Sequence, residues 1–129
     1  MNKLAFQILR VGIGMTFLWI SILIFMNPAE WGAMIQPWAI SLLPVSVTQA
    51  MIATAILDAL VGIFLLINVF TWLAAFLGAL HLVVVLTTTG ITGITIRDIG
   101  LLTAATALFI GYFPETLYSK IASWRKGKQ

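Results

Sequence analysis

Five titratable side chains stand within otherwise apolar stretches of this 129-residue chain: Arg10, Asp58, His81, Arg97 and Asp98. A charged group at the middle of a membrane helix costs about 2.5–3.5 kcal/mol on insertion scales, so such groups turn inward, pair, and mark functional sites by default. Two acids, two guanidinium groups and one imidazole can hold a small polar headgroup, relay protons, or tie helices together by buried hydrogen bonds. For Asp58 with His81 the default favours function; for Arg97 and Asp98 the functional and structural readings balance. Metal chemistry is not expected. One histidine makes neither a bis-His haem site nor a multi-His metal site, and the chain has no cysteine to supply a thiolate. No nucleophile–base–acid constellation stands out either, because the lone histidine is occupied with Asp58. The residues therefore assign no catalytic activity.

Composition places these groups in a membrane. Only 9% of residues are charged and 61% are hydrophobic, against about 25% charged in soluble domains. The mean hydropathy is +1.09. A chain this small has too much surface to cover with so few polar groups, which excludes an ordinary soluble, disordered or collagen-like protein. The net charge of +3 bears on topology and anionic lipid. No basic groove with interleaved aromatics is present, so no nucleic-acid partner is expected.

A hydrocarbon core about 30 Å thick needs roughly 20 apolar residues in a helix. Four runs qualify, at about 4–26, 47–69, 71–89 and 94–113. None alternates as a barrel strand does. The expected fold is all-α: an integral membrane four-helix bundle over 1–113, followed by a basic amphipathic tail over 114–129. The first run is read as a retained helix, since no small-x-small cleavage site follows it. Asn27, Pro28 and Glu30 suit an N-cap, an N1 proline and an N3 acid, with Pro37 ending that short piece. Ser46 with Gln49 forms a capping-box pattern at the start of span two. Gly90 and Gly93 separate spans three and four. Lys3, Arg10, Lys120, Arg125, Lys126 and Lys128 are six of the seven basic residues and lie toward the two ends. Both termini are thus expected on the cytoplasmic side of a bacterial or archaeal inner membrane, as an even number of spans requires.

Two segments lie outside the spans. In the tail, Leu117, Tyr118, Ile121 and Trp124 share one helical face, while Lys120, Arg125, Lys126 and Lys128 fall largely elsewhere. Such a helix rests in the headgroup layer, with Trp124 and the four basic residues as lipid contacts. Between spans one and two, residues 27–46 hold Trp31, Met34, Ile35, Trp38, Ile40, Leu42 and Leu43 with one charge, Glu30. This apolar connection lies on the outer interface or forms a lid over the bundle.

Depth can be counted along the chain. Asp58 and His81 are equally far from the tight connection centred between Val69 and Phe70. At about 1.5 Å per residue each lies about 17 Å from that turn, near the bilayer midplane. Adjacent antiparallel helices should therefore bring the acid and the imidazole to one level. Thr54, Asp58 and Gly62 share a face of span two, and Ala74, Gly78 and His81 a face of span three. On span one, Gln7, Arg10, Gly14 and Ser21 do the same. Gly14, Gly62, Gly78 and Gly100 are expected to pack helices closely, and the Gly12-Ile13-Gly14 triplet is read as packing too. Arg10 either reaches Asp58 or snorkels to the inner headgroups. Arg97 and Asp98, as sequence neighbours, need separate partners; Asp98 alternatively favours a helix N-terminus if span four starts late.

Leu9-Arg10-Val11-Gly12-Ile13-Gly14, Asp58 followed by Gly62, and Ile96-Arg97-Asp98-Ile99-Gly100-Leu101-Leu102 together resemble the DoxX/DoxD-like membrane proteins, over about Leu4 to Tyr112. The resemblance implies a four-helix inner-membrane protein. Relatives in that family are linked to quinone-coupled sulfur oxidation, to oxidative-stress complexes or to chaperone-like assembly. The chain departs from the family's pattern in carrying Asp58 where Glu is usual, and Thr71-Trp72 where a basic residue is common. Three functions stand side by side. One is a non-catalytic component that binds or scaffolds a quinone-like redox molecule, or a membrane-associated redox partner. The others are an assembly partner, and a small-solute or proton transporter.

Overall fold

The computed structural model describes residues 3–128. They are all-helical, in the order α1 (Lys3–Met26), α2 (Pro28–Gly32), α3 (Pro37–Ser41), α4 (Val47–Ile67), α5 (Thr71–Thr89), α6 (Ile96–Tyr112) and α7 (Glu115–Lys126). Three of them, α1, α4 and α5, are long and apolar enough to cross a membrane. Helix α6 has 17 residues, or about 25 Å, and the chain turns by 81° into α7. The run expected at 94–113 thus begins its helix only at Ile96, because Thr92–Thr95 form a hydrogen-bonded turn. There the Thr95 hydroxyl donates to the Gly90 carbonyl at 2.6 Å and accepts from the Thr92 N–H at 2.7 Å. Asp98 consequently falls in the first turn of α6.

Local chemistry sets the other ends. The Ser46–Gln49 capping box is formed in both directions, each bond 3.2 Å. Pro28 opens α2, but the Asn27 side chain makes no capping bond. Pro37 does not end the first short piece; it occupies the first turn of a second one, α3, where its missing N–H costs nothing. Asn68 and Phe70 adopt left-handed backbone at the α4–α5 turn, and Thr71 Oγ1 donates to Asn68 Oδ1 at 2.7 Å. Gly90 ends α5 at φ +75°, a region open to glycine at no steric cost.

The longest helices pack around one another. Helix α1 lies mainly against α4 and α5 mainly against α6, while α4–α5 and α1–α6 contacts close the circuit. Near the termini the interior is solid, built from Ile13, Phe17, Val61, Leu65, Ala74 and Leu108 among others. An aromatic group joins α5 to α6 at this end, with Phe109 5.4 Å from Phe76 and 5.4 Å from Phe113 between ring centres. At the opposite end the helices leave a cavity, covered by α2 and α3 and open at its side, where Trp19 and Val84 on its wall are exposed.

The outer surface is apolar. Met15, Trp19, Ile56, Phe76 and Val84 are all exposed on three different helices. Helix α7 has no buried residue. Its Tyr118, Ile121 and Trp124 are exposed, and Lys128 Nζ sits 3.9 Å over the Trp124 ring.

Candidate functional site

The cavity occupies about 800 Å³, within the range of small-molecule sites. Its walls come from the upper halves of α1, α4, α5 and α6, and its roof from Trp31, Met34, Ile35, Ala39 and Leu43 of the α2–α3 segment. That segment is held down at defined points. The Gln36 N–H donates to the Thr88 carbonyl at 2.9 Å. Gly32 is buried against Val47, whose side chain stands where a Cβ would go. A Cβ on Gly90 would lie 2.8 Å from the Gln36 amide nitrogen. Residues 27–46 are therefore a roof as well as an apolar surface.

Asp58 and His81 form the polar part of the cavity wall, on α4 and α5. The His81 Nε2 stands 3.4 Å from Asp58 Oδ1, at the level where counting from the α4–α5 turn puts both residues. Asp58 is 3% exposed, and its Oδ1 has no hydrogen-bond partner. Arg97 and Asp98 face the same cavity from the start of α6. Four of the five titratable groups singled out from the sequence thus share one space.

The fifth, Arg10, does not. It is buried in α1, and its Nη1 donates to the Leu65 carbonyl and, at 3.1 Å, to the Leu66 carbonyl. Neither Asp58 nor headgroup snorkelling accounts for it. The last turn of a helix has carbonyls without intrahelical donors and carries partial negative charge, which a cation satisfies. Ser21 makes the matching contact further along α1, donating to the Ala55 carbonyl at 2.7 Å. Gln7, expected on the same face, is exposed. A Ser21→Ala chain is expected to lose about 1 kcal/mol, read as a lower unfolding midpoint in detergent; no change would mean the Ala55 carbonyl is as well satisfied without the hydroxyl.

The glycines divide. A Cβ on Gly62 would lie 2.8 Å from the Gly14 carbonyl oxygen and 2.8 Å from the Leu18 nitrogen, so α1 and α4 cross backbone to backbone. Gly78 packs under Phe17, 3.0 Å from its ring tip. Gly100 and Gly12 are corrections: nothing stands within 4 Å of either missing Cβ. Gly100 lines the cavity instead. Two packing glycines were not anticipated, Gly32 and Gly111, the latter covered by the Phe6 ring. Trp19 and Thr95, also on the cavity wall, carry no sequence signal that separates them from ordinary apolar and turn residues.

No family model, curated protein or solved structure matches the chain. The DoxX/DoxD-like resemblance stands on the quoted residues alone. Among the described residues no group of His, Asp and Glu could hold a metal ion.

Proposed function

We propose that this chain is a four-helix inner-membrane protein, with both termini cytoplasmic, that binds a lipid-soluble, quinone-like molecule in the roofed cavity on its outer side. One observation carries the proposal: a largely apolar cavity of about 800 Å³ with a buried acid and an imidazole set into its wall. An isoprenoid or alkyl body suits walls of Ile, Leu, Val, Met and Trp, and a ring oxygen suits the Asp58–His81 edge. The apolar exterior favours lipid around α1, α4 and α5, and the shorter α6 would complete the bundle with α7 lying at the cytoplasmic interface. The protein would hold the redox molecule and leave electron transfer to a membrane-associated redox protein.

The packed interior below the cavity weighs against transport. Phe17, Val61, Leu65 and Leu108 fill the space between the polar pair and the termini, where a proton or solute path would need polar groups or water.

Gently purified protein, extracted with organic solvent and analysed by mass spectrometry, is expected to yield about one quinone-type molecule per chain. A clean extract, together with a stable stoichiometric partner in pull-downs, would replace this proposal with the assembly-partner function. In that case Asp58→Asn and His81→Gln would lower bundle stability and do nothing else.

A further inference from the structure

One polar atom in the cavity wall bears on its occupant. Asp58 is 3% exposed, borders the cavity, and keeps Oδ1 without a hydrogen-bond partner. The nearby His81 Nε2, at 3.4 Å, lacks the geometry to serve it. Asp98 faces the same space from α6 beside Arg97, and Thr54, Thr88 and Thr95 add hydroxyls. Two of those hydroxyls are already committed as donors, Thr88 to Val84 at 2.9 Å and Thr95 to Gly90. A buried acceptor left without a donor costs about 1–3 kcal/mol, more when charged, and an occupant that brings the donor recovers it.

We infer that the cavity selects a hydroxyl-bearing head, so that, given the quinone-like ligand proposed above, it holds the reduced hydroquinone in preference to the oxidised quinone. A quinone carbonyl can only accept, and set beside Asp58 Oδ1 it would leave that oxygen unsatisfied or repelled. A hydroquinone O–H can donate to Oδ1 and satisfy it. A hydrogen bond to a charged or strongly polarised acceptor is worth about a tenfold to hundredfold difference in affinity. Gly100 assists by leaving open the space its side chain would fill, since nothing stands within 4 Å of its missing Cβ.

The test is anaerobic equilibrium dialysis of the full chain in detergent against three matched probes: a decyl-substituted benzohydroquinone, its benzoquinone, and its di-O-methyl ether. The expected order places the hydroquinone at least about tenfold tighter than the other two. Equal binding of all three, or tighter binding of the quinone, overturns the selectivity while leaving the quinone-type cavity in place. Binding of none overturns both. Gly100→Leu, which adds a side chain at a cavity-lining position where nothing stands within 4 Å of the new Cβ, is expected to abolish binding without loss of stability. Asp58→Asn is expected to narrow the hydroquinone preference to within about threefold, because an amide offers a donor to the quinone. Retention of the full preference in Asp58→Asn would also sink the proposal.

Discussion

Gly62→Ala is expected to destabilise the protein, whereas the same change at Gly100 or Gly12 is expected to stabilise it. The intrinsic gain of alanine over glycine inside a helix is about 1 kcal/mol at all three positions. At Gly100 and Gly12 nothing opposes it, because no atom stands within 4 Å of the added Cβ. At Gly62 the new carbon would lie 2.8 Å from both the Gly14 oxygen and the Leu18 nitrogen. Those are backbone atoms, which no rotamer change can move aside, so α1 and α4 must separate. Separation would stretch the Arg10 and Ser21 contacts that flank the crossing on either side. Overpacking of this kind costs about 1–3 kcal/mol, and the loss of flanking hydrogen bonds places Gly62→Ala at the upper end. SDS-driven unfolding in mixed micelles reads the sign directly. A Gly62→Ala midpoint at or above that of Gly100→Ala would mean that the helices do not cross at this point.

Removing the Arg10 guanidinium is the second large effect. An Arg10→Met chain keeps most of the apolar stem but leaves the Leu65 and Leu66 carbonyls without their donor. The Asn68 N–H reaches the Leu65 carbonyl only at 3.4 Å, too long to replace it well. Two factors compete. Burying a cation is costly, and its Nε finds no partner. Against that stand charge-assisted bonds worth about 1.5–3 kcal/mol and the attraction of a helix C-terminus for positive charge. The bonds win because the carbonyls stay buried after the change, so a loss of about 2–3 kcal/mol is expected. Arg10→Lys should recover part of it, with one compact ammonium in place of a fork. A double-mutant cycle with Asp58→Asn distinguishes the two conceivable partners of Arg10. Asp58 lies two helical turns from Leu65, about 10 Å along α4, so the coupling is expected to stay below about 0.5 kcal/mol. A coupling above about 1 kcal/mol would restore an Arg10–Asp58 pair.

These two effects differ in how visible they were before the structure. Gly14 and Gly62 stand out in sequence as small residues on apolar helices, and that signal is sound for them. It fails for Gly100 and Gly12, which look the same. The difference is one of rotation: Gly14 and Gly62 face each other, Gly100 faces the cavity, and Gly12 faces outward. Arg10 offers a similar lesson. Its depth could be counted, but its partner is a pair of main-chain carbonyls, and main-chain acceptors leave no mark in a sequence.

What the sequence by itself determined was one-dimensional. It set the helical runs, because a long apolar stretch leaves the backbone no other way to satisfy its hydrogen bonds. It set the Ser46 cap, because the capping box acts over four residues. It put Asp58 and His81 at one level, because helical rise is constant and the connection between α4 and α5 is short. The tertiary structure alone decided which faces turn inward. In α1, α4 and α5 apolar residues occupy both the core and the exposed surface, as buried Phe17 and exposed Trp19 illustrate two residues apart on one turn. With no amphipathic contrast to orient such helices, backbone crossings such as Gly14 on Gly62 fix their rotation. The cavity, its roof of Trp31 and Met34, and the meeting of Asp58, His81, Arg97 and Asp98 within it all follow from that rotation.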